Sequence, residues 1–129
     1  MMNRPRPRWA WLFFVQLALV VGASLLATTG RFPLAVFQRW PLDKLGHLFA
    51  YGGLSFLGVT FFGEARSTPV VGTLLCAAAL EEVSQRLFQT RTFDLGDLAM
   101  NVVGISAFGA AAVVAANRRS RGDCSIRIR

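Results

Sequence analysis

The chain has 129 residues, of which 53% are hydrophobic and 16% are charged, and its formal net charge is +7. Soluble domains average about 25% charged residues, so this composition excludes an ordinary soluble domain and favours a small membrane protein. Two cysteines without a CxxC pair exclude a disulfide framework and a cysteine zinc site, and the basic balance lacks an aromatic-interleaved fold, so we expect no nucleic-acid partner.

Long apolar runs follow in chain order, at about residues 9–29, 45–63, 68–88 and 95–116. Each run is long enough to cross a bilayer as a helix, which takes about 20 residues. Because these runs use most of the chain, we predict an all-α fold, an integral membrane four-helix bundle over residues 9–116. The first run exceeds the roughly 7–15 apolar residues typical of a signal peptide, which favours a retained helix.

Basic residues at the two ends of the chain predict its orientation. Residues 1–8 and 117–129 carry eight of the fourteen Lys and Arg residues. Short cytoplasmic segments of membrane proteins carry an excess of Lys and Arg. We therefore predict a basic N-terminal arm and a basic C-terminal tail that are both cytoplasmic, with membrane lipids as partners.

The second helix is predicted to begin at Pro41-Leu42-Asp43 and to run inward from the outer surface. Asp43, His47 and Tyr51 recur every four residues, so they share one helical face. At 1.5 Å per residue, His47 lies about 6 Å deeper in the membrane than Asp43. Lys44 follows Asp43 at the shallow end of this helix.

The third and fourth helices bring more polar residues to the same outer layer. Glu82 and Gln85 lie one turn apart near the outer end of the third helix, whereas Glu81 is on an adjoining face and is expected to point elsewhere. On the fourth helix a single stripe contains Asp94, Asp97, Asn101 and Gly104, and Arg91 precedes it in the loop. We therefore predict a polar site built from three helices and that loop.

Membrane energetics favour a shared site. An aspartate in mid-membrane costs about 2.5–3.5 kcal/mol on insertion scales. The acids are therefore expected to pair with Lys44, His47 or Arg91, or to line a watery pocket. The alternative is that Asp43, Asp94 and Asp97 only cap helices, while Glu82, Gln85 and Asn101 only bond neighbouring helices. That alternative explains each residue singly, but less well why nearly all of them lie on one side.

The combined pattern resembles the VanZ-like family of small bacterial membrane proteins. The matching positions are Asp43-Lys44-x-x-His47, then Glu82-x-x-Gln85, then Arg91-Thr-Phe-Asp94-x-x-Asp97-x-x-x-Asn101-x-x-Gly104, over about residues 40–110. The resemblance implies a multi-pass helical protein of the bacterial cytoplasmic (inner) membrane. The family is named for a component of glycopeptide-resistance clusters associated with teicoplanin resistance, and it includes many proteins outside such clusters.

A binding function is the first hypothesis. An amphipathic site at headgroup depth suits the polar head of a membrane lipid, a lipid-linked cell-wall precursor or a lipoglycopeptide. Arg91 would clamp an anionic group, because the guanidinium fork matches phosphate. The predicted ligand-binding residues are Asp43, Lys44, His47, Glu82, Gln85, Arg91, Asp94, Asp97 and Asn101.

Two further hypotheses remain open at this stage. In a membrane-embedded enzyme, His47 beside Asp43 would be the general base and Glu82 or Asp97 the acid, or His47 and carboxylates would hold a divalent cation. A single histidine among acids, without HExxH or a Gly-rich phosphate loop, specifies no metal, so we expect neither metal nor cofactor. In a scaffold subunit, the polar residues would only fix helix packing. Neither catalysis nor the oligomeric state follows from the sequence.

Overall fold

The structure, a computed structural model, describes residues 7–28, 41–87 and 94–126, with side chains for 8–26, 41–87 and 94–119. These residues form four α-helices and one short 3-10 helix, which confirms the predicted all-α fold. The elements are α1 (Pro7–Thr28), α2 (Leu42–Phe62), the 3-10 helix (Glu64–Arg66), α3 (Ser67–Leu87) and α4 (Leu95–Ile126). Helix α4 continues well beyond Ala116, where the fourth apolar run ends, because a polar sequence can extend a helix into water without losing its backbone hydrogen bonds.

Local sequence explains where α2 begins and ends. Proline is well tolerated ahead of the first turn because it needs no donor there, and Asp43 lies in that first turn, as predicted. At the other end Gly63 adopts a φ of +91°, a conformation that glycine reaches without steric cost. The Gly63 N–H donates to the Val59 carbonyl at 2.9 Å, which closes the helix before the 3-10 turn.

Helices α2 and α4 form the centre of the molecule and run parallel to each other. Glycines make this close crossing possible, because a Cβ on Gly104 would collide with the Leu48 backbone. A Cβ on Gly52 would come within 3.2 Å of the Gly104 carbonyl oxygen. Gly52 and Gly104 therefore let the two backbones approach closely.

The other two helices flank this pair. Helix α1 packs mainly on α2, and α3 packs across both α2 and α4. At the end where α1 begins, the Phe13 ring packs against Phe61 and Phe62, with centroids 6.2 and 5.6 Å away. Since Phe13 is near the start of α1 and Phe61 is near the end of α2, these helices are antiparallel. The end of the bundle where these three phenylalanine rings pack is therefore opposite the end where α2 and α4 begin.

The surface of the described residues is apolar and much of the interior is polar. Trp11, Leu19 and Leu95 are at least 64% exposed, whereas Glu82 and Asn101 are fully buried. Within the described ranges three helices are long and apolar enough to cross a membrane, at Arg8–Leu26, Leu42–Phe62 and Leu95–Arg119. The fourth membrane crossing, in α3, and the cytoplasmic position of both termini stay predictions.

Candidate functional site

Polar side chains from α2, α3 and α4 meet at one end of the bundle, where α2 and α4 begin and α3 ends. We call this group the polar cluster, and among the described residues it consists of Asp43, Lys44, His47, Glu82, Asp94, Asp97 and Asn101. Gln85 is also buried, on α3 one turn beyond Glu82. The polar cluster thus brings together the predicted site residues of the described ranges except Gln85. Arg91, the predicted anion clamp, lies outside those ranges.

Lys44 links the start of α2 to the start of α4. Its ammonium donates to Asp97 Oδ1 at 2.5 Å and to an oxygen of Asp94, and Asp43 Oδ2 is 3.9 Å away. The Asp97 side chain is only 5% exposed. A buried carboxylate needs such a partner, because an uncompensated charge in a low-dielectric interior is strongly unfavourable.

Asp94 is both a helix cap and a member of the polar cluster. Its Oδ1 accepts a hydrogen bond from the Gly96 backbone N–H at 2.7 Å, which satisfies an amide in the first turn of α4. The Lys44 ammonium and that Gly96 amide hold the pKa of the Asp94 carboxyl below its ordinary value of 3.8. The capping alternative is thus correct for Asp94 but incomplete. Asp97, in contrast, directs its carboxylate toward Lys44 and His47.

His47 is held between two residues of α4. Its Nδ1 is 3.2 Å from Asn101 Oδ1, and its Nε2 is 3.6 Å from Asp97 Oδ2. An amide oxygen only accepts hydrogen bonds, so in this arrangement Nδ1 carries the hydrogen and donates it. Nε2 then presents a lone pair toward the Asp97 carboxylate whenever the imidazole is neutral.

Glu82 and Asn101 leave hydrogen-bonding capacity unused. Both residues are fully buried. Among the described residues neither carboxylate oxygen of Glu82, nor Nδ2 of Asn101, has a hydrogen-bond partner. The Glu82 carboxyl group interacts electrostatically with His47 and Asp97. The backbone N–H of Asp94 also interacts with it electrostatically, but it does not reach hydrogen-bond geometry.

A second polar contact joins α1, α2 and α3 beside the polar cluster. The Tyr51 hydroxyl donates to Glu81 Oε2 at 2.5 Å, and the Ser24 hydroxyl donates to Glu81 Oε1. Glu81 therefore points away from the polar cluster, as expected, but it is firmly bonded. The sequence places Tyr51 on the same helical face as His47, but it does not identify Ser24 as a partner of Glu81. The sequence signal that could have identified Ser24 is its hydroxyl, which lies on α1 at about the same membrane depth as Glu81.

Several polar-cluster residues also have the chemistry of metal ligands. Asp43, His47 and Asp97 each offer one ligand atom, and these three atoms lie within 4.8 Å of one another. Imidazole nitrogen and carboxylate oxygen are ligands for divalent metals.

Comparisons with protein-family models, curated proteins and solved structures found no match to this chain. The interpretation of the site therefore depends on the geometry described above.

Proposed function

We propose that this chain is a VanZ-like protein of the bacterial cytoplasmic membrane whose polar cluster opens outward and binds the polar head of an amphipathic envelope ligand. A lipid-linked cell-wall precursor and a lipoglycopeptide of the teicoplanin type are the candidate ligands. The observation that carries the proposal is the unused hydrogen-bonding capacity of the buried Glu82 and Asn101.

The energetics of burial favour a ligand at this position. A buried polar group without a hydrogen bond costs about 1–3 kcal/mol, and an ionised group costs more. Glu82 needs donors, such as hydroxyl or amide groups, while Asn101 Nδ2 needs an acceptor, such as a carbonyl or phosphate oxygen. A headgroup that combines sugar or peptide groups with phosphate supplies both, whereas an acyl chain supplies neither.

Charge supports the outward position of the polar cluster. The basic arm and the basic tail favour cytoplasmic termini, and with four crossings the start of α2 and of α4 would lie on the outer side. The apolar exposed faces of α1 and α4 are suited to lipid. A ligand anchored in the outer leaflet would reach the polar cluster by lateral diffusion, with its head at the depth of Lys44 and His47.

Arg91 completes the proposed site. In sequence it lies between Leu87, which ends α3, and Asp94, which caps α4. Its guanidinium would bind the phosphate while Lys44, already paired with Asp94 and Asp97, holds α2 against α4.

A retention experiment tests the proposal directly. The purified full chain is immobilised in detergent and offered a polyprenyl-pyrophosphate-linked muropeptide, teicoplanin or phosphatidylglycerol. We expect Glu82→Gln and Arg91→Ala to weaken retention of one of the first two probes by at least about tenfold, which corresponds to about 1.4 kcal/mol. Glu64→Gln and Arg66→Ala change the same residue types at the opposite end of α2 and should bind like the wild type. Equal retention of every probe by all five proteins would overturn the proposal.

Catalysis is the second candidate function, because His47 has the orientation of a general base. Asn101 holds Nδ1, and Nε2 faces Asp97 rather than the helix backbone. If the protein is an enzyme, the wild type releases a cleaved product from the muropeptide probe and His47→Gln does not, while both retain the probe. A scaffold role instead predicts that His47→Gln lowers protein level and activity in proportion.

A further inference from the structure

The polar cluster contains more carboxylates than cations. Among the described residues, the Lys44 ammonium bonds to the carboxylates of Asp94 and Asp97, and the Glu82 carboxyl group lies within electrostatic range of Asp97 and His47. Excess negative charge in a partly buried site is unfavourable unless protons or a cation neutralise it. A further positive charge would therefore be favourable on the side of Asp97 away from Lys44.

The geometry around Asp97 shows where that charge belongs. Asp97 Oδ1 is occupied by the Lys44 ammonium, whereas Oδ2 faces His47 Nε2 at 3.6 Å. Two ligand atoms bound tetrahedrally to one ion at about 2.0–2.1 Å are separated by about 3.3 Å. The His47–Asp97 separation is therefore longer than a good hydrogen bond and close to the spacing of two ligands on one metal.

Asn101 prepares His47 for this role. Metal-binding histidines usually donate their other ring N–H to a carbonyl or carboxylate oxygen, which fixes the tautomer. His47 Nδ1 makes that contact with Asn101 Oδ1 at 3.2 Å, so the Nε2 lone pair is directed at Asp97 Oδ2. Without an ion or a proton between them, two acceptors would face each other.

We infer that Asp43, His47 and Asp97 bind a divalent transition-metal cation at the end of the bundle where α2 and α4 begin. The three ligand atoms lie within 4.8 Å of one another, and the ligands of a tetrahedral zinc ion, bound at about 2.0–2.2 Å, are separated by about 3.3–3.6 Å. Binding of an ion would therefore draw the ligand atoms together by up to about 1.5 Å. The unpartnered and fully buried Glu82 is an observation independent of this triad, and it points to a bound cation or donor.

The ligand types select the class of cation. One imidazole with carboxylates suits Zn²⁺ or Mn²⁺ better than Mg²⁺, which prefers oxygen ligands and retains several waters. This inference deepens the proposed function, because an ion held in the polar cluster would bind the phosphate or carbonyl oxygens of the same headgroup. It does not require that headgroup, since the ion is held by protein side chains alone.

Equilibrium dialysis of the purified full chain against Zn²⁺ and Mn²⁺ tests the inference, with the metal content and the Kd as readouts. We expect a single ion per wild-type chain and a loss of affinity of at least about tenfold in Asp43→Asn and His47→Gln. Asp94→Asn is the matched control, because it removes the same charge beside Lys44 without removing a ligand. Equal affinities in Asp43→Asn and Asp94→Asn would mean that only charge matters and would overturn the site.

Asn101 provides a test of positioning that does not remove a ligand. Asn101→Leu should weaken Zn²⁺ binding by about 10–100-fold, while Asn101→Asp, which still accepts from Nδ1, should restore it. A folded wild type that binds neither ion would overturn the cation site. Headgroup retention in metal-free buffer would still support the proposed function, so the two failures are distinguishable.

Discussion

Asp94 shows how one residue can stabilise the fold in two separable ways. Its carboxylate caps α4 through the Gly96 amide and also accepts from the Lys44 ammonium. Both interactions favour the ionised form, which is why the pKa of Asp94 is lowered. Because the folded-state pKa is below the unfolded one, Asp94 stabilises the fold above about pH 4, and the stabilisation is lost as pH falls through the folded-state pKa.

Replacing Asp94 separates the charge from the cap. Asparagine caps helices about as well as aspartate, so Asp94→Asn should remove only the charge interaction, worth less than about 1 kcal/mol for a half-exposed pair. Asp94→Ala should lose a further 0.5–2 kcal/mol, roughly, from the cap. Thermal unfolding in detergent at about pH 7 and about pH 3 checks this. On acidification, the melting temperature of Asp94→Asn should fall less than that of the wild type. Identical acid sensitivity in wild type and Asp94→Asn would contradict the assignment.

The ion pair between Lys44 and Asp97 is less exposed than the pair between Lys44 and Asp94. Lys44→Met leaves the Asp97 carboxylate, which is 5% exposed, without its ammonium partner. Breaking a buried pair in this way costs about 3–5 kcal/mol, whereas replacing both members by apolar residues is often close to neutral. We expect Lys44→Met to lower the free energy of unfolding strongly and Lys44→Met/Asp97→Leu to recover much of the loss. Strictly additive effects in denaturant titrations would show that the two side chains are not coupled.

At the scale of the helices, the close crossing of α2 and α4 sets the geometry of the polar cluster. Gly104 lies one turn beyond Asn101 on α4 and lets the Leu48 backbone approach. Because Leu48 follows His47, the same crossing fixes how far His47 is from Asn101. Any side chain that separates the two helices should therefore loosen the site as well as the fold.

Gly104→Ala tests this coupling. The added methyl group would collide with the Leu48 backbone, and such overpacking costs about 1–3 kcal/mol. Gly72→Ala is the matched control, because its Cβ meets nothing within 4 Å and alanine is the better helix former by about 1 kcal/mol. Melting temperatures should fall for Gly104→Ala and stay equal or rise for Gly72→Ala. A wild-type melting temperature for Gly104→Ala would contradict the close crossing.

Helices and their polar faces could be predicted from the sequence because apolar length and four-residue spacing are local properties. The stripe from Asp94 to Asn101 and the start of α2 at Leu42, after Pro41, follow from such patterns. The partners of each side chain could not be predicted, since they depend on how the helices rotate against each other. The parallel contact of α2 with α4 and the turn of Glu81 toward Ser24 are properties of packing.

At the scale of the whole molecule, an apolar surface surrounds a polar interior at one end. Exposed residues such as Trp11 and Leu95 suit lipid, while Glu82 and Asn101 are shielded from it. The membrane orientation proposed from the basic termini decides which compartment the polar cluster faces. The binding of an envelope ligand depends on that orientation, because such a ligand is displayed on the outer leaflet.

Cysteine labelling in intact cells tests the orientation most directly. With Cys76 and Cys124 replaced by serine, Leu42→Cys places a thiol at an exposed position beside Asp43, and Glu64→Cys places one at the opposite end of α2. The account predicts that a membrane-impermeant maleimide labels Leu42→Cys in intact cells and labels Glu64→Cys only after lysis. Labelling of Glu64→Cys in intact cells, with Leu42→Cys protected until lysis, would contradict an outward-facing site.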